Sequence, residues 1–174
     1  QHFGGISWWL PAWQRAAVLE DKDVAVRRAD GSVGTVSVEK THHMLGIGLL
    51  LDIFIWPITG TNYAAVRPLY AVQDEFGMGD VEFLGYWDNA SVIGGQTAEI
   101  RASAYRKPQG GALLVVYNTT RKTRVTRLGV DWERLKSNGP LEVLDAYTKE
   151  PVEVDGSALE LEVPPLNYRL LWVR

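Results

Sequence analysis

The chain of 174 residues contains no cysteine. This absence excludes disulfide bonds, metal sites built on thiolates and a cysteine nucleophile. A P-loop, a GxGxxG fingerprint and the sequence motifs of Ser-His-Asp hydrolases are also missing, which disfavours nucleotide binding and triad chemistry. The 18 Lys and Arg residues are scattered and are outnumbered by 21 Asp and Glu residues, so no basic surface for nucleic acid is indicated.

The sequence also lacks a hydrophobic run long enough for a membrane helix. Its most apolar segment covers residues 44–58 and contains Asp52, whereas a spanning helix needs about 20 apolar residues. A carboxylate at the centre of such a span costs on the order of 2.5–3.5 kcal/mol. We therefore expect no membrane association. No basic region followed by an apolar stretch opens the chain, so no signal peptide is visible; a secreted or periplasmic location is nevertheless favoured over a cytoplasmic one.

Residues 1–80 contain two kinds of segment, continuous apolar runs and stretches in which apolar residues recur at helical spacing. One helix is predicted through Glu39 and Leu45, and a second over Tyr63–Phe76, capped by Thr61 or Asn62 and ended by Gly77. Pro68 weakens the second helix or divides it into two short ones. Between them, the continuous run LLLDIFIWP is typical of a parallel strand buried on both faces. Alternating strands and helices indicate βα units, too few to close a barrel.

From Val81 onward the pattern changes to short alternating runs separated by turn signals such as Asn138-Gly139-Pro140 and Asp155-Gly156. Seven or eight such strands predict an antiparallel β-sandwich. A possible helical turn with Trp132 and Leu135 interrupts them. The alternation is clearest in AEIRASAYR, in which Ile100, Ala102 and Ala104 are expected on one face and Arg101, Ser103 and Tyr105 on the other.

Several phrases of this sequence resemble the C-terminal end of bacterial glycoside hydrolases of the family 123 type. They are FLGYW at residues 83–87, Asn118 after an apolar strand, DAYTKE at 145–150 and PPLNYRLLWV at 164–173. Lys149 stands where the family phrase has Gly. The resemblance implies an α/β plus all-β fold, with residues 1–80 as terminal βα units of a (β/α)8 barrel and residues 81–174 as an appended sandwich.

The resemblance implies a C-terminal fragment or subunit of an enzyme that hydrolyses O-glycosyl bonds in a carbohydrate substrate. The chain starts at Gln1 without an initiator Met, and the rest of the barrel is expected from an upstream segment or another chain. The catalytic carboxylates are expected there too, and no catalytic residue is assigned. No cofactor is implied. The alternative is a non-catalytic carbohydrate-binding or structural sandwich module.

Five residues of the first 80 are candidates for contact with a sugar. Asp52 is a carboxylate inside an apolar run, where burial is costly unless the group is paired or functional; a structural Asp bonded to Arg or to backbone amides is the alternative. Aromatic faces pack against sugar rings, which makes Trp56, Trp8 and Trp9 candidates, with core packing as the alternative. His43 or its neighbour His42 could contact a hydroxyl, but their spacing does not indicate zinc, and no metal site is expected.

Overall fold

A computed structural model describes residues 18–19, 25–27, 33–36, 38–53, 62–136 and 139–174, and the structural statements below concern these residues. Trp8, Trp9 and Trp56, for which sugar contacts are predicted, lie outside these described residues. In the part of the chain described, no helix has the length and apolar character needed to cross a membrane.

Three short strands precede the helices: β1 (Val18–Leu19), β2 (Ala25–Arg27) and β3 (Val33–Val36). They form a sheet in the order β1-β3-β2, and both pairings are antiparallel. The prediction of parallel strands is therefore wrong for this part of the chain. The five residues between β2 and β3 include Asp30-Gly31 and can close a hairpin, whereas a parallel crossover needs a dozen residues or more.

The first helix, α1 (Val38–Leu51), confirms the helix predicted through Glu39 and Leu45. It extends further than expected, because Leu49–Leu51 belong to the helix and not to a strand. Asp52 adopts the left-handed conformation with φ of 54°, and the amide of Ile53 donates to the carbonyl of Gly48 at 2.8 Å. This is the terminating pattern of a Schellman motif. The predicted strand is wrong for residues 49–52, because a short apolar run does not distinguish a buried helix end from a buried strand.

The second helix, α2 (Tyr63–Phe76), has the predicted bounds and caps. The side chain of Asn62 accepts a hydrogen bond from the amide of Ala64 at 2.9 Å, and Gly77 ends the helix with φ of 75°. Pro68 lies inside one continuous helix and does not divide it. The predicted apolar stripe of Ala65, Leu69, Val72 and Phe76 is buried.

The remainder is the predicted antiparallel sandwich. Its strands are β4 (Glu82–Leu84), β5 (Ile93–Gly94), β6 (Ile100–Arg106), β7 (Ala112–Asn118), β8 (Arg124–Val130), β9 (Val143–Asp145), β10 (Val154–Asp155), β11 (Ala158–Val163) and β12 (Tyr168–Val173). They form a five-stranded sheet with the order β4-β6-β7-β12-β9 and a four-stranded sheet with the order β10-β11-β8-β5. A 3-10 turn at Trp132–Arg134 confirms the expected interruption, whereas the two-residue strands β5 and β10 were not predicted.

The five-stranded sheet is covered on both faces. Ile100, Ala102 and Ala104 point into the core between the two sheets, as predicted from their alternation. Tyr105 points the other way, into a second core formed with α1 and α2. Every residue of β7 is buried, which explains why its sequence is a continuous apolar run. The layers therefore follow one another as the four-stranded sheet, the five-stranded sheet and the two helices.

The two helices run in the same direction across the sheet. The start of α2 lies at the first turns of α1, because the amide of Asn62 donates to the hydroxyl of Thr41 at 3.0 Å. Both helices end over the same end of β6: Tyr105 contacts Leu49 of α1, and Lys107 lies 4.5 Å from the ring of Phe76 in α2.

Candidate functional site

The C-terminal end of α1 is bound by side chains of the sandwich. The hydroxyl of Tyr105 donates to the carbonyl of Leu49, and that of Ser103 donates to the carbonyl of Leu50, each at 2.8 Å and each buried. The Ser103 hydroxyl also accepts from the amide of Tyr86 at 3.0 Å. Carbonyls in the last turn of a helix have no intrahelical partner, and here residues 50 or more positions away in sequence satisfy them.

Asp52 follows directly, as the left-handed residue that closes α1. Burial raises the pKa of Tyr105 well above its usual value of 10, and the negative charge and hydrogen bonding of Asp52 add to that effect. Tyr105 therefore remains a neutral donor at any physiological pH. Asp and Asn tolerate the left-handed conformation better than most residues, so closing the helix is a sufficient reason for a carboxylate here. A contact between Asp52 and a sugar stays a prediction.

His42 and His43 lie in the first half of α1 and pack against tyrosines of the sandwich. Nδ1 of His43 and the hydroxyl of Tyr117 are 2.5 Å apart, and the two rings stack at 6.0 Å between centroids. The ring of His42 lies 6.0 Å from that of Tyr168. Burial lowers the pKa of both histidines, and hydrogen bonds that His42 donates to Asn167 and His43 donates to the Leu166 backbone partly offset this effect.

The tyrosines of this cluster are held in their neutral form. Burial raises the pKa of Tyr117 to about 12 and that of Tyr168 to about 12. The hydroxyls of Tyr168 and Tyr147 share a hydrogen bond, and burial followed by this contact raises the pKa of Tyr147. The arrangement binds a helix to a sheet through neutral polar groups and presents no ionised nucleophile.

The structure does not bring the two predicted polar residues together. His43 and Asp52 are nine positions apart on one helix, a separation of roughly 13 Å at 1.5 Å per residue. His43 faces Tyr117, whereas Asp52 lies near Tyr105, at the other end of α1. Among the described residues, no group of three or more His, Asp or Glu side chains could hold a metal ion.

An exposed aromatic surface adjoins the C-terminal end of α1. Trp87 exposes 62% of its surface, the largest exposed fraction of any aromatic residue described. Its ring packs beside Phe83 at 5.8 Å and edge-on against Tyr86 at 5.2 Å. We call Phe83, Tyr86 and Trp87 the Trp87 platform. The sequence did not predict this surface, because aromatic residues at the start of a sandwich give no signal of exposure.

A buried amide fixes the loop that carries the platform. The side chain of Asn89 donates to the carbonyls of Leu84 and Ala102, at 3.1 and 2.9 Å. Its oxygen accepts from Gln96 at 2.7 Å. Asn89 is 2% exposed, and a buried amide with these bonds made holds its loop in a single arrangement.

A shallow groove of about 510 Å³ opens between β5 with the loop before it, β8 and the loop after β10. Gly94, Gly129 and Gly156 are among its lining residues. Its carboxylates are already paired: Asp131 lies 3.8 Å from Arg134, and Glu133 lies 2.9 Å from Lys136. The groove is thus a glycine-lined depression with neutralised charges.

Comparison with known proteins gives a family match for part of the chain. Residues 65–149 match the family described as Glycoside hydrolase 123, C-terminal domain. The match confirms the resemblance read from the sequence and shows a family 123-like C-terminal domain in this part of the chain. No curated protein matches the sequence.

Solved structures of glycoside hydrolases share the fold at low sequence identity. A GH27 β-L-arabinopyranosidase from Geobacillus stearothermophilus aligns with a TM-score of 0.55 at 11% identity, over 90% of this chain and 35% of that one. An α-N-acetylgalactosaminidase candidate from Bacillus halodurans gives 0.54 and 10%, over 89% and 37%. α-Galactosidase I from Mortierella vinacea gives 0.52 and 13%, over 83% and 37%. The chain thus spans about a third of the length of the structures it matches.

Proposed function

Starting from a family 123-like C-terminal domain, we propose that this chain is the C-terminal part of a glycoside hydrolase. In this proposal α1 and α2 belong to the last βα units of a (β/α)8 barrel, and residues 81–174 form a sandwich that braces them. The catalytic carboxylates lie in a part of the barrel outside these 174 residues. The substrate is a carbohydrate.

The observation that carries the proposal is the buried interface between two parallel helices and a complete sandwich. Leu45 and Leu49 of α1, with Leu69 and Phe76 of α2, are at most 5% exposed and lie in one core with the sheet. Burial on this scale is typical of permanent packing within a domain unit, not of a transient contact. The sandwich therefore fixes the position of both helices.

The direction of the helices supports their assignment to a barrel. Adjacent helices that run parallel need a connection that returns between them, and in a (β/α)8 barrel that connection is a strand. The apolar residues after Ile53 have the composition of such a strand. Each helix of a barrel begins at the face that carries active sites. His43, near the start of α1, is thus on the side of that face, and Asp52 is on the opposite side.

The ion pairs of the described surface carboxylates support a structural role for this chain. Glycoside hydrolysis uses two carboxylates, about 5 Å apart in retaining enzymes and more in inverting ones. In the described ranges the surface carboxylates Glu82, Glu99 and Asp155 each pair with an arginine. A structural partner for the catalytic centre is therefore the role that suits this chain.

The test is hydrolysis of aryl glycosides by this chain alone and by the polypeptide that includes the preceding barrel segment. The solved structures that share the fold guide the panel, which consists of α-galactosides, N-acetyl-α-galactosaminides and β-L-arabinopyranosides. We expect hydrolysis of at least one substrate by the longer polypeptide and none by residues 1–174.

A substitution between the sandwich and α1 tests whether the activity depends on that interface. Ser103→Leu removes the hydrogen bonds to Leu50 and Tyr86 and overfills their site, so we expect the longer polypeptide to lose thermal stability and activity together. Thr123→Leu, at an exposed site in the loop before β8, is the control and should retain both. Hydrolysis by residues 1–174 alone, or none by the longer polypeptide, would contradict the proposal.

A further inference from the structure

We infer that the Trp87 platform is a binding site for a neutral saccharide. The site is independent of the proposed hydrolase activity, because it consists only of residues in and beside β4 and β6. Sugar rings carry C–H groups that pack on an aromatic face, and their hydroxyls need donors and acceptors at its edge. The platform offers these features together.

The aromatic face is available. Trp87 exposes 62% of its surface, whereas the other tryptophans described, Trp132 and Trp172, expose 6% and 9%. Exposing an indole in water is unfavourable by roughly 25 cal/mol for each Å² of apolar surface. Trp87 is thus the one described tryptophan whose ring is mainly in contact with solvent.

The ring is also held in place before any ligand arrives. It covers Gly85, where an added Cβ would lie 2.6 Å from the indole, so only glycine leaves room for this position. Phe83 and Tyr86 support its sides, and Asn89 anchors the loop. A pre-organised ring loses little conformational entropy on binding, which favours affinity.

A basic side chain lies over one ring of the platform, and an acidic residue follows Trp87 in the chain. The guanidinium of Arg101 lies 5.2 Å from the centre of the Tyr86 ring, and Asp88 is exposed directly after Trp87. In the described part of the chain, neither side chain forms an ion pair with another residue. Arg101 supplies donors and Asp88 supplies acceptors for hydroxyls, and their charges cancel, which favours a neutral ligand over a charged one.

The size of the surface favours a saccharide over a protein. The exposed large hydrophobic residues of the described chain are Tyr63, Trp87 and Val125, and Tyr63 and Val125 belong to other elements. A stable protein interface needs about 800 Å² from each partner. One indole with two flanking rings is smaller than this and matches the area of one or two sugar rings.

The experiment is affinity electrophoresis of the full chain in native gels that contain galactomannan, arabinoxylan or hydroxyethyl cellulose. We expect retardation by at least one polysaccharide, and about tenfold weaker binding for Trp87→Ala, the loss of one stacking contact of about 1.4 kcal/mol. Arg101→Gln, which removes the charge beside the Tyr86 ring and leaves the Trp87 ring unchanged, should also weaken binding. Tyr63→Ala, at an exposed aromatic residue on α2, is the matched control and should bind as the parent chain does.

Three results would overturn the inference. The first is the absence of retardation by all three polysaccharides while the chain is folded by circular dichroism. The second is retardation that persists in Trp87→Ala and in Arg101→Gln. The third is self-association that depends on Trp87, without saccharide binding, which would assign the platform to contact with a second copy of the chain.

Discussion

The hydroxyl of Tyr105 donates a hydrogen bond to the carbonyl of Leu49 at 2.8 Å, although 56 positions separate the two residues. The bond joins a strand of the sandwich to the last turn of α1. Because that carbonyl has no partner inside its own helix, the end of α1 depends on the sandwich for its hydrogen bonding.

Replacing Tyr105 with Phe should therefore destabilise the chain. The substitution keeps the ring and removes the donor, leaving a buried carbonyl unsatisfied, which costs about 1–3 kcal/mol. Urea denaturation should show this decrease in the free energy of unfolding. Tyr63→Phe removes a hydroxyl from a residue that is 51% exposed and should change stability by no more than about 0.5 kcal/mol.

Gly46 determines how closely α1 approaches the sheet. A Cβ at this position would lie 2.7 Å from the ring of Tyr168 and 2.8 Å from that of Tyr117. Gly46→Ala should lower stability by about 1–3 kcal/mol through overpacking, although Ala favours helix by up to about 1 kcal/mol. The measurement is thermal unfolding. Gly79→Ala is the control, since a Cβ there meets no atom within 4 Å; equal effects of the two substitutions would refute the close-approach argument.

Lys149 occupies a left-handed position, with φ of 63°, where the family phrase has Gly. Its ammonium compensates by lying 2.6 Å from Glu75 of α2 and 4.1 Å from the centre of the Trp172 ring. Lys149→Ala loses both contacts and keeps the backbone strain, so we expect a loss of about 1 kcal/mol.

Lys149→Gly tests the strain separately. It loses the same contacts but relieves a left-handed conformation that costs roughly 1–2 kcal/mol. The glycine variant should therefore be more stable than the alanine variant in the same urea titration. A glycine variant less stable than the alanine variant would show that the left-handed conformation at position 149 does not strain a residue that carries a Cβ.

Protonation of the α1 histidines should destabilise the chain. Burial lowers the pKa of His42 and His43 below 6.5 in the folded state, so below pH 6.5 the unfolded chain binds more protons than the folded one. Stability is then full above pH 6.5 and declines as the pH falls from there through the folded pKa values. Free energies of unfolding at pH 7.5 and 5.5 measure the decline, and the double variant His42→Gln, His43→Gln should reduce it.

Elements with a repeating pattern were predictable from the sequence. The helix at Tyr63–Phe76 combined an amide cap, an apolar stripe and a terminal glycine, and each signal depends only on neighbouring residues. The strands of the sandwich were predictable because alternation and turn signals are equally local. The family phrases identified the type of domain, which residues 65–149 confirm.

The position of Asp52 was not predictable, because it depends on distant residues. The run LLLDIFIWP suits a buried strand and a buried helix end equally well, and Ser103 and Tyr105 decide the matter for Leu49–Leu51 by binding the helix end. The exposure of Trp87 also depends on tertiary structure, since Gly85 and Asn89 together turn its ring outward. Local patterns contain neither relationship.

The helix-covered face of the five-stranded sheet has a consequence for solubility. Tyr105, Tyr117 and Trp172 are at most 9% exposed because α1 and α2 cover them. A shortened protein that begins at residue 81 would present these rings to water as one continuous surface, and large apolar surfaces promote association. Such a protein should aggregate or be recovered as oligomers, whereas one that begins before Val38 retains its cover.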